Sequence, residues 1–187
     1  MLLRNKSNNL SILLFHGVIK SNKYKVRNYN NKHITEKKFN KILKYLKRKG
    51  KVFSMDEVVY NISKKKKFPP NSYSITFDDG FENNYSIAAP ILDDLSIPTT
   101  FYFSTDFIEN NSMSWIDQIE YCFEENFKMQ KLEIKDFLSL DISTKKKKII
   151  ALNIIRKKIK SNHNINVKKF VKKIFKYFKI EYIEKND

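Results

Sequence analysis

The sequence predicts an α/β protein with parallel strands, followed by a helical segment. Three observations carry that expectation. Short apolar runs alternate with stretches of helical periodicity, the pattern of strand–helix–strand units. With 187 residues, 41% of them hydrophobic, the chain is long enough to bury a core. From Met129 onward the character shifts to strongly periodic, lysine-rich stretches.

Leu10–Phe15 reads as a buried strand, and an Asn- and Lys-rich loop follows it to His33. Thr35 is placed to cap a helix whose apolar residues Phe39, Ile42, Leu43 and Leu46 keep i, i+3, i+4, i+7 spacing. Gly50 ends that helix, and Lys51–Phe53 forms a very short strand. Ser54 and Glu57 have capping-box spacing and open a short helix to about Ile62. The lysine run 64–67 and Pro69-Pro70 form a loop. Tyr73–Phe77 is the second strand. A helix is expected over Asn84–Leu95, carrying Ile87, Ile91, Leu92 and Leu95, and a strand over Thr99–Phe103. Ser114 and Asp117 open a further helix with Ile116, Ile119, Phe123 and Phe127 on one face. Cys122 sits inside it as a buried thiol rather than a nucleophile. Lys131–Ile134 is ambiguous, whereas Lys145–Ser161 and Asn166–Phe178 read as two basic helices.

Composition excludes several classes. A single cysteine forms no internal disulfide, so this is not a disulfide-stapled scaffold. No apolar run approaches the about 18 residues that span a bilayer, and the apolar stretch near the start is short for a signal-peptide core. The expected location is therefore cytoplasmic by default, with cell-envelope association as the alternative. The net charge of +17 divides unevenly. Residues 1–70 hold 19 Lys/Arg against 3 Asp/Glu, residues 71–142 hold 3 against 14, and residues 143–187 hold 15 against 3. An acidic middle thus lies between basic flanks. Only Arg4, Arg27, Arg48 and Arg156 are arginines, so the bidentate base contacts of nucleic-acid readers are poorly supplied and a nucleic-acid partner is not expected.

The sharpest local feature is Ser74-Ile75-Thr76-Phe77-Asp78-Asp79-Gly80. It sets two carboxylates at the end of a strand, where parallel α/β folds collect their catalytic groups. Successive strand residues face opposite ways, so both acids reach one site only if the backbone already turns there, and Gly80 permits such a turn. A metal ion would separate their roles, one aspartate as ligand and the other as base. The competing reading is an ordinary strand-end turn with the aspartates capping backbone amides.

Thr76-Phe77-Asp78-Asp79-Gly80 resembles the first motif of the polysaccharide deacetylases, the family of NodB homology (carbohydrate esterase family four). Leu13-Leu14-Phe15-His16-Gly17-Val18 is similar to the opening strand of its poly-N-acetylglucosamine deacetylase-like branch. Phe39 to Ser54, Ala89-Pro90-Ile91-Leu92, Pro98 to Phe103 and Trp115 to Tyr121 follow the same pattern in order. The resemblance covers about residues 10–127 and implies a partial (β/α) barrel followed by a helical segment. Residues 1–128 would be the N-terminal part of the deacetylase domain and 129–187 a basic helical insertion or tail. It further implies metal-dependent hydrolysis of N-acetyl or O-acetyl groups on a carbohydrate polymer. Asp79 would be a ligand of a divalent metal, zinc by preference, Asp78 the catalytic base and His16 the general acid.

One departure qualifies this. The family completes its metal site with a downstream His-x-x-x-His pair, and the histidines here are His16, His33 and His163. His33 is expected to be solvent-exposed. A catalytic zinc takes three protein ligands, so the chain is expected to be truncated before that motif, incomplete, and weak or inactive alone. A separately encoded C-terminal half would then be its partner. Two other readings stand beside this one. The first is a magnesium-dependent phosphoryl-transfer enzyme using Asp78 and Asp79. The second is a non-enzymatic lysine-rich module holding an acidic polymer or a membrane surface.

Overall fold

The structure, a computed structural model, describes residues 10–110, 113–135 and 137–182. Arg4 and the outer ends of both expected segments lie outside the described residues. The chain forms two compact units. One comprises the residues up to 22 with Asn31–Ile108, and the other Lys23–Asn30 with the residues from Glu109.

In the first unit, β1 (Leu10–Phe15), β2 (Gly17–Ile19), β3 (His33–Thr35), α1 (Glu36–Lys49), β4 (Lys51–Val52), α2 (Met55–Ser63) and β5 (Ser72–Phe77) follow in order. After them come a π-helical turn (Asn84–Ala88), α3 (Ala89–Asp94), β6 (Thr100–Phe101) and α4 (Thr105–Glu109). β5 is the central strand, with all six residues buried. β1 pairs with it in parallel along its whole length, β4 joins its first two residues and β6 its last two. All these pairings are parallel, as the alternating pattern predicts. Phe39, Leu43 and Leu46 of α1 bury against this sheet beside Ile75 and Phe77. Phe39 and Phe77 are completely buried and meet edge to face at 5.7 Å. Each such ring contributes about 1.5–3 kcal/mol through burial. α2 starts at Ser54 with the anticipated capping box, in which Glu57 N–H donates to Ser54 Oγ and Ser54 N–H to Glu57 Oε2.

Three local expectations are corrected. The polar stretch before His33 ends in a short strand, and β3 pairs in parallel with β2, Gly17 opposite His33. The single helix expected over Asn84–Leu95 opens with a π turn closed by Ala89 N–H on the Asn84 carbonyl. Pro90 accounts for it, because it has no N–H to donate and its ring crowds the carbonyl four residues earlier. The strand expected over Thr99–Phe103 shrinks to Thr100–Phe101, since only the last residues of β5 offer it partners.

The second unit holds α5 (Trp115–Glu125), β7 (Lys131–Ile134), β8 (Leu138–Asp141), α6 (Lys145–Lys160) and α7 (Val167–Phe178). Residues 129–187 are therefore not wholly helical: β7 and β8 form an antiparallel hairpin. Period-two patterning supplies the reason, because Leu132 and Ile134 are buried while Lys131 and Glu133 are exposed. Phe170, Val171, Ile174, Phe175 and Phe178 of α7 pack with Ile119, Cys122 and Phe123 of α5 in one core. The compact units part ahead of α5, whereas the sequence-based division falls after it at residue 128. Cys122 is fully buried, and burial pushes its thiol up to about 12, as suits an inert core residue.

Candidate functional site

The parallel register of β1 and β5 builds the site. Phe15 stands opposite Phe77, and the ladder continues one step further as Asp78 N–H donates to the Phe15 carbonyl at 2.9 Å. His16 and Asp78, each the first residue past its strand, therefore emerge together at the C-terminal edge of the sheet. The chain then turns sharply. Asp79 has φ 74° and Gly80 φ 73°, two successive left-handed residues. Aspartate tolerates that conformation better than most side chains, and glycine adopts it freely. A Cβ on Gly80 would lie 2.5 Å from the Phe103 ring. The backbone thus turns at Asp79 itself, one residue earlier than the glycine alone suggested. Strain of this kind collects at functional sites.

Two basic side chains meet Asp79. His16 Nδ1 lies 3.4 Å and Lys32 Nζ 3.3 Å from Asp79 Oδ2. The histidine contact is a close approach without hydrogen-bond geometry, since Nδ1 is buried and makes no hydrogen bond. Lys32 is held from a second side, with its ammonium 4.4 Å from the centre of the Phe81 ring. The edge of the same ring pair is completed by His33, 4.6 Å away at 70°.

His33 is half-buried rather than solvent-exposed. Asn83 accepts from Val18 N–H through Oδ1 at 3.3 Å, which orients its amide so that Nδ2 donates to His33 Nδ1 at 3.1 Å. Gly17 makes room for this arrangement: a Cβ there would lie 2.3 Å from His33 Nδ1 and 2.6 Å from Asn83 Oδ1. Sequence reasoning missed Lys32, Phe81 and Asn83 as neighbours of the aspartates. No sequence signal marks the lysine, because only the pairing of β3 with β2 brings the end of the polar loop to the aspartate turn. His163 lies in the second unit, after α6.

The acid pair and His16 are thus brought together, but they do not make a metal centre. Among the described residues, no three His, Cys, Asp or Glu side chains gather as a metal site. The groups at Asp79 Oδ2 are one imidazole and one ammonium. An ammonium has no lone pair to give a metal and repels a cation, so the donor set present does not fit a catalytic zinc, which needs three ligands and an open position.

A twin-aspartate turn at the C-terminal edge of a parallel sheet, flanked by a histidine, is thus the candidate site of an α/β fold. Comparison with known proteins shows what the chain is similar to. Residues 65–136, which contain Asp78 and Asp79, match the polysaccharide deacetylase family. Poly-beta-1,6-N-acetyl-D-glucosamine N-deacetylases of Staphylococcus aureus are 30% identical over 129 residues, a stretch covering 63% of this chain and 43% of theirs. The chain spans less than half the length of the curated relatives it matches. A solved de-N-acetylase from Aggregatibacter actinomycetemcomitans has a TM-score of 0.48 at 17% identity, covering 72% of this chain and 46% of that one. IcaB from Ammonifex degensii has a TM-score of 0.44 at 24% identity, covering 62% and 49%.

Proposed function

We propose that this chain supplies the front of a polysaccharide deacetylase domain, residues 1–128 of it, acting on N-acetyl or O-acetyl groups of a carbohydrate polymer. One observation carries the reading: the Asp78-Asp79-Gly80 turn at the end of β5 lies beside His16 at the end of β1. In this reading Asp78 takes a proton from the attacking water and His16 delivers one to the departing amine. Water adds to the acetyl carbon, the carbon–nitrogen bond breaks, and acetate and a free amine leave. The family is generally metal-dependent, and Asp79 is the residue assigned to a divalent ion, zinc by preference. Among the described residues the donors do not complete such a centre. The four-stranded parallel sheet is read as an open arc of a (β/α) barrel, a fold that takes about 250 residues when closed. Ile12 and Leu14 support this, being 51% and 53% exposed on β1, because parallel sheets are ordinarily covered on both faces. The missing ligands and strands would come from a further stretch of polypeptide, such as a separately encoded C-terminal half.

Acetate release from β-1,6-linked N-acetylglucosamine oligomers and from chito-oligosaccharides tests the proposal. This chain alone should release little acetate. Adding the C-terminal half of a related deacetylase should raise the rate, and Asp78→Asn should remove that gain. Full turnover with one equivalent of zinc in the chain alone would refute its incompleteness.

A further inference from the structure

We propose that Lys32 is the resident cation of this site and that its ammonium group, not a metal ion, neutralises Asp79. The inference rests on reading Asp79 as the position of a metal ligand. Several observations converge on the lysine. Its Nζ lies 3.3 Å from Asp79 Oδ2, and its side chain is 14% exposed against 30% for Asp79, so it is the more enclosed partner. The Phe81 ring, two residues beyond Asp79, lies under the same ammonium at 4.4 Å. The backbone that carries Lys32 is anchored next door, where His33 begins β3 and pairs with Gly17 of β2. Asn83 ties His33 to Val18 in turn. A flexible surface lysine would have none of these constraints.

The chemistry follows from charge. A carboxylate in a strained left-handed turn, beside a second carboxylate, needs a positive neighbour to persist. Where three donors gather, a divalent ion meets that need; among the described residues the donors do not gather, and a tethered ammonium lies at the carboxylate instead. Lys32 and a divalent cation compete for the same oxygen, since each repels the other at short range. Asp79 should therefore bind metal poorly while Lys32 is charged, and better once that charge is removed.

The experiment titrates Co²⁺ and Zn²⁺ into the full chain by calorimetry, comparing wild type with Lys32→Met, Lys32→Arg and Lys32→Met/Asp79→Asn. Lys32→Met should bind at least about tenfold more tightly than wild type, Lys32→Arg should match wild type, and adding Asp79→Asn should abolish the gain. Tight stoichiometric metal binding by wild type, equal binding in wild type and Lys32→Met, or a gain that survives Asp79→Asn would each overturn the proposal. Should Lys32→Met fold poorly, a thermal double-mutant cycle with Lys32→Gln and Asp79→Asn decides the pairing: coupled losses support it, and additive losses refute it. The readout is affinity and coupling, so failure here leaves the deacetylase reading standing. Absence of acetate release with the C-terminal half would conversely leave the Lys32–Asp79 pair intact.

Discussion

At the scale of single residues, close approach and burial govern what each position tolerates. Gly17 has no room for a methyl group between His33 and Asn83. Gly17→Ala should cost about 1–3 kcal/mol, the usual penalty for overpacking, read as a lowered midpoint in urea. Cys122 is legible from sequence as a core residue because it falls on the apolar face of α5, and the structure agrees. Its thiol, raised to about 12 by burial, should resist Ellman's reagent in the native protein and react fully after denaturation. Rapid native labelling would contradict the packing of α5. Lys148 shows the opposite case. It belongs to the lysine run that opens α6, yet it is 1% exposed, and its ammonium donates to the carbonyls of Met129 and Ile142. Burial pushes its pKa down. Periodicity alone does not mark it, because only the fold of the β7–β8 hairpin brings those two carbonyls within its reach.

At the scale of elements, α5 acts as an acidic clamp on a distant loop. Glu124 accepts from the N–H groups of Lys25, Val26 and Arg27, and Glu120 accepts from Asn28 N–H. These bonds place residues 23–30 in the second compact unit, although their sequence neighbours belong to the first. Burial acts on both acids in the same direction but is offset differently. It pushes Glu120 up, with Asn28 N–H opposing it, so the net shift is upward. At Glu124 burial also pushes up, but the three backbone donors together outweigh it and hold the carboxyl below its usual range. A lowered folded pKa means the contribution of Glu124 to stability is present above its unfolded value and lost as pH falls through the folded value. Glu120, raised in the fold, contributes with the opposite sign: its share is greatest below its unfolded value and is lost as pH rises through the folded value. Glu124→Gln should therefore cost about 1–2 kcal/mol near neutral pH, and urea melts should show the gap to wild type closing as pH falls below the ordinary carboxylate range. A gap that widens on acidification would exclude this clamp.

At the scale of the molecule, the four-stranded parallel sheet leaves apolar side chains exposed on β1. Ile12 and Leu14 alternate on β1 with Leu13 and Phe15, which pack against the first unit's core. In the chain alone, Ile12→Lys/Leu14→Lys should leave stability within about 0.5 kcal/mol, since both positions are surface-like. The same pair should prevent any activity gained on adding the C-terminal half of a related deacetylase. Denaturation curves and acetate release measure the two effects separately, and a large loss of stability would show that these side chains already serve the core.

Sequence by itself determined the strands β1 and β5, the helices with clear periodicity and caps, the inert cysteine, and the neighbourhood of Asp78, Asp79 and His16. Those features are local or depend on a repeating pattern, and backbone propensity and binary patterning act over a few residues. Tertiary structure alone decided the β2–β3 pair, the hairpin β7–β8, the transfer of residues 23–30 to the second unit and the Lys32–Asp79 contact. Each joins residues that the chain separates widely, through hydrogen bonds or charge rather than apolar period. Asp79 thus announced itself in the motif, while the ammonium beside it became visible only when β3 folded back against β2 and carried Lys32 to the turn.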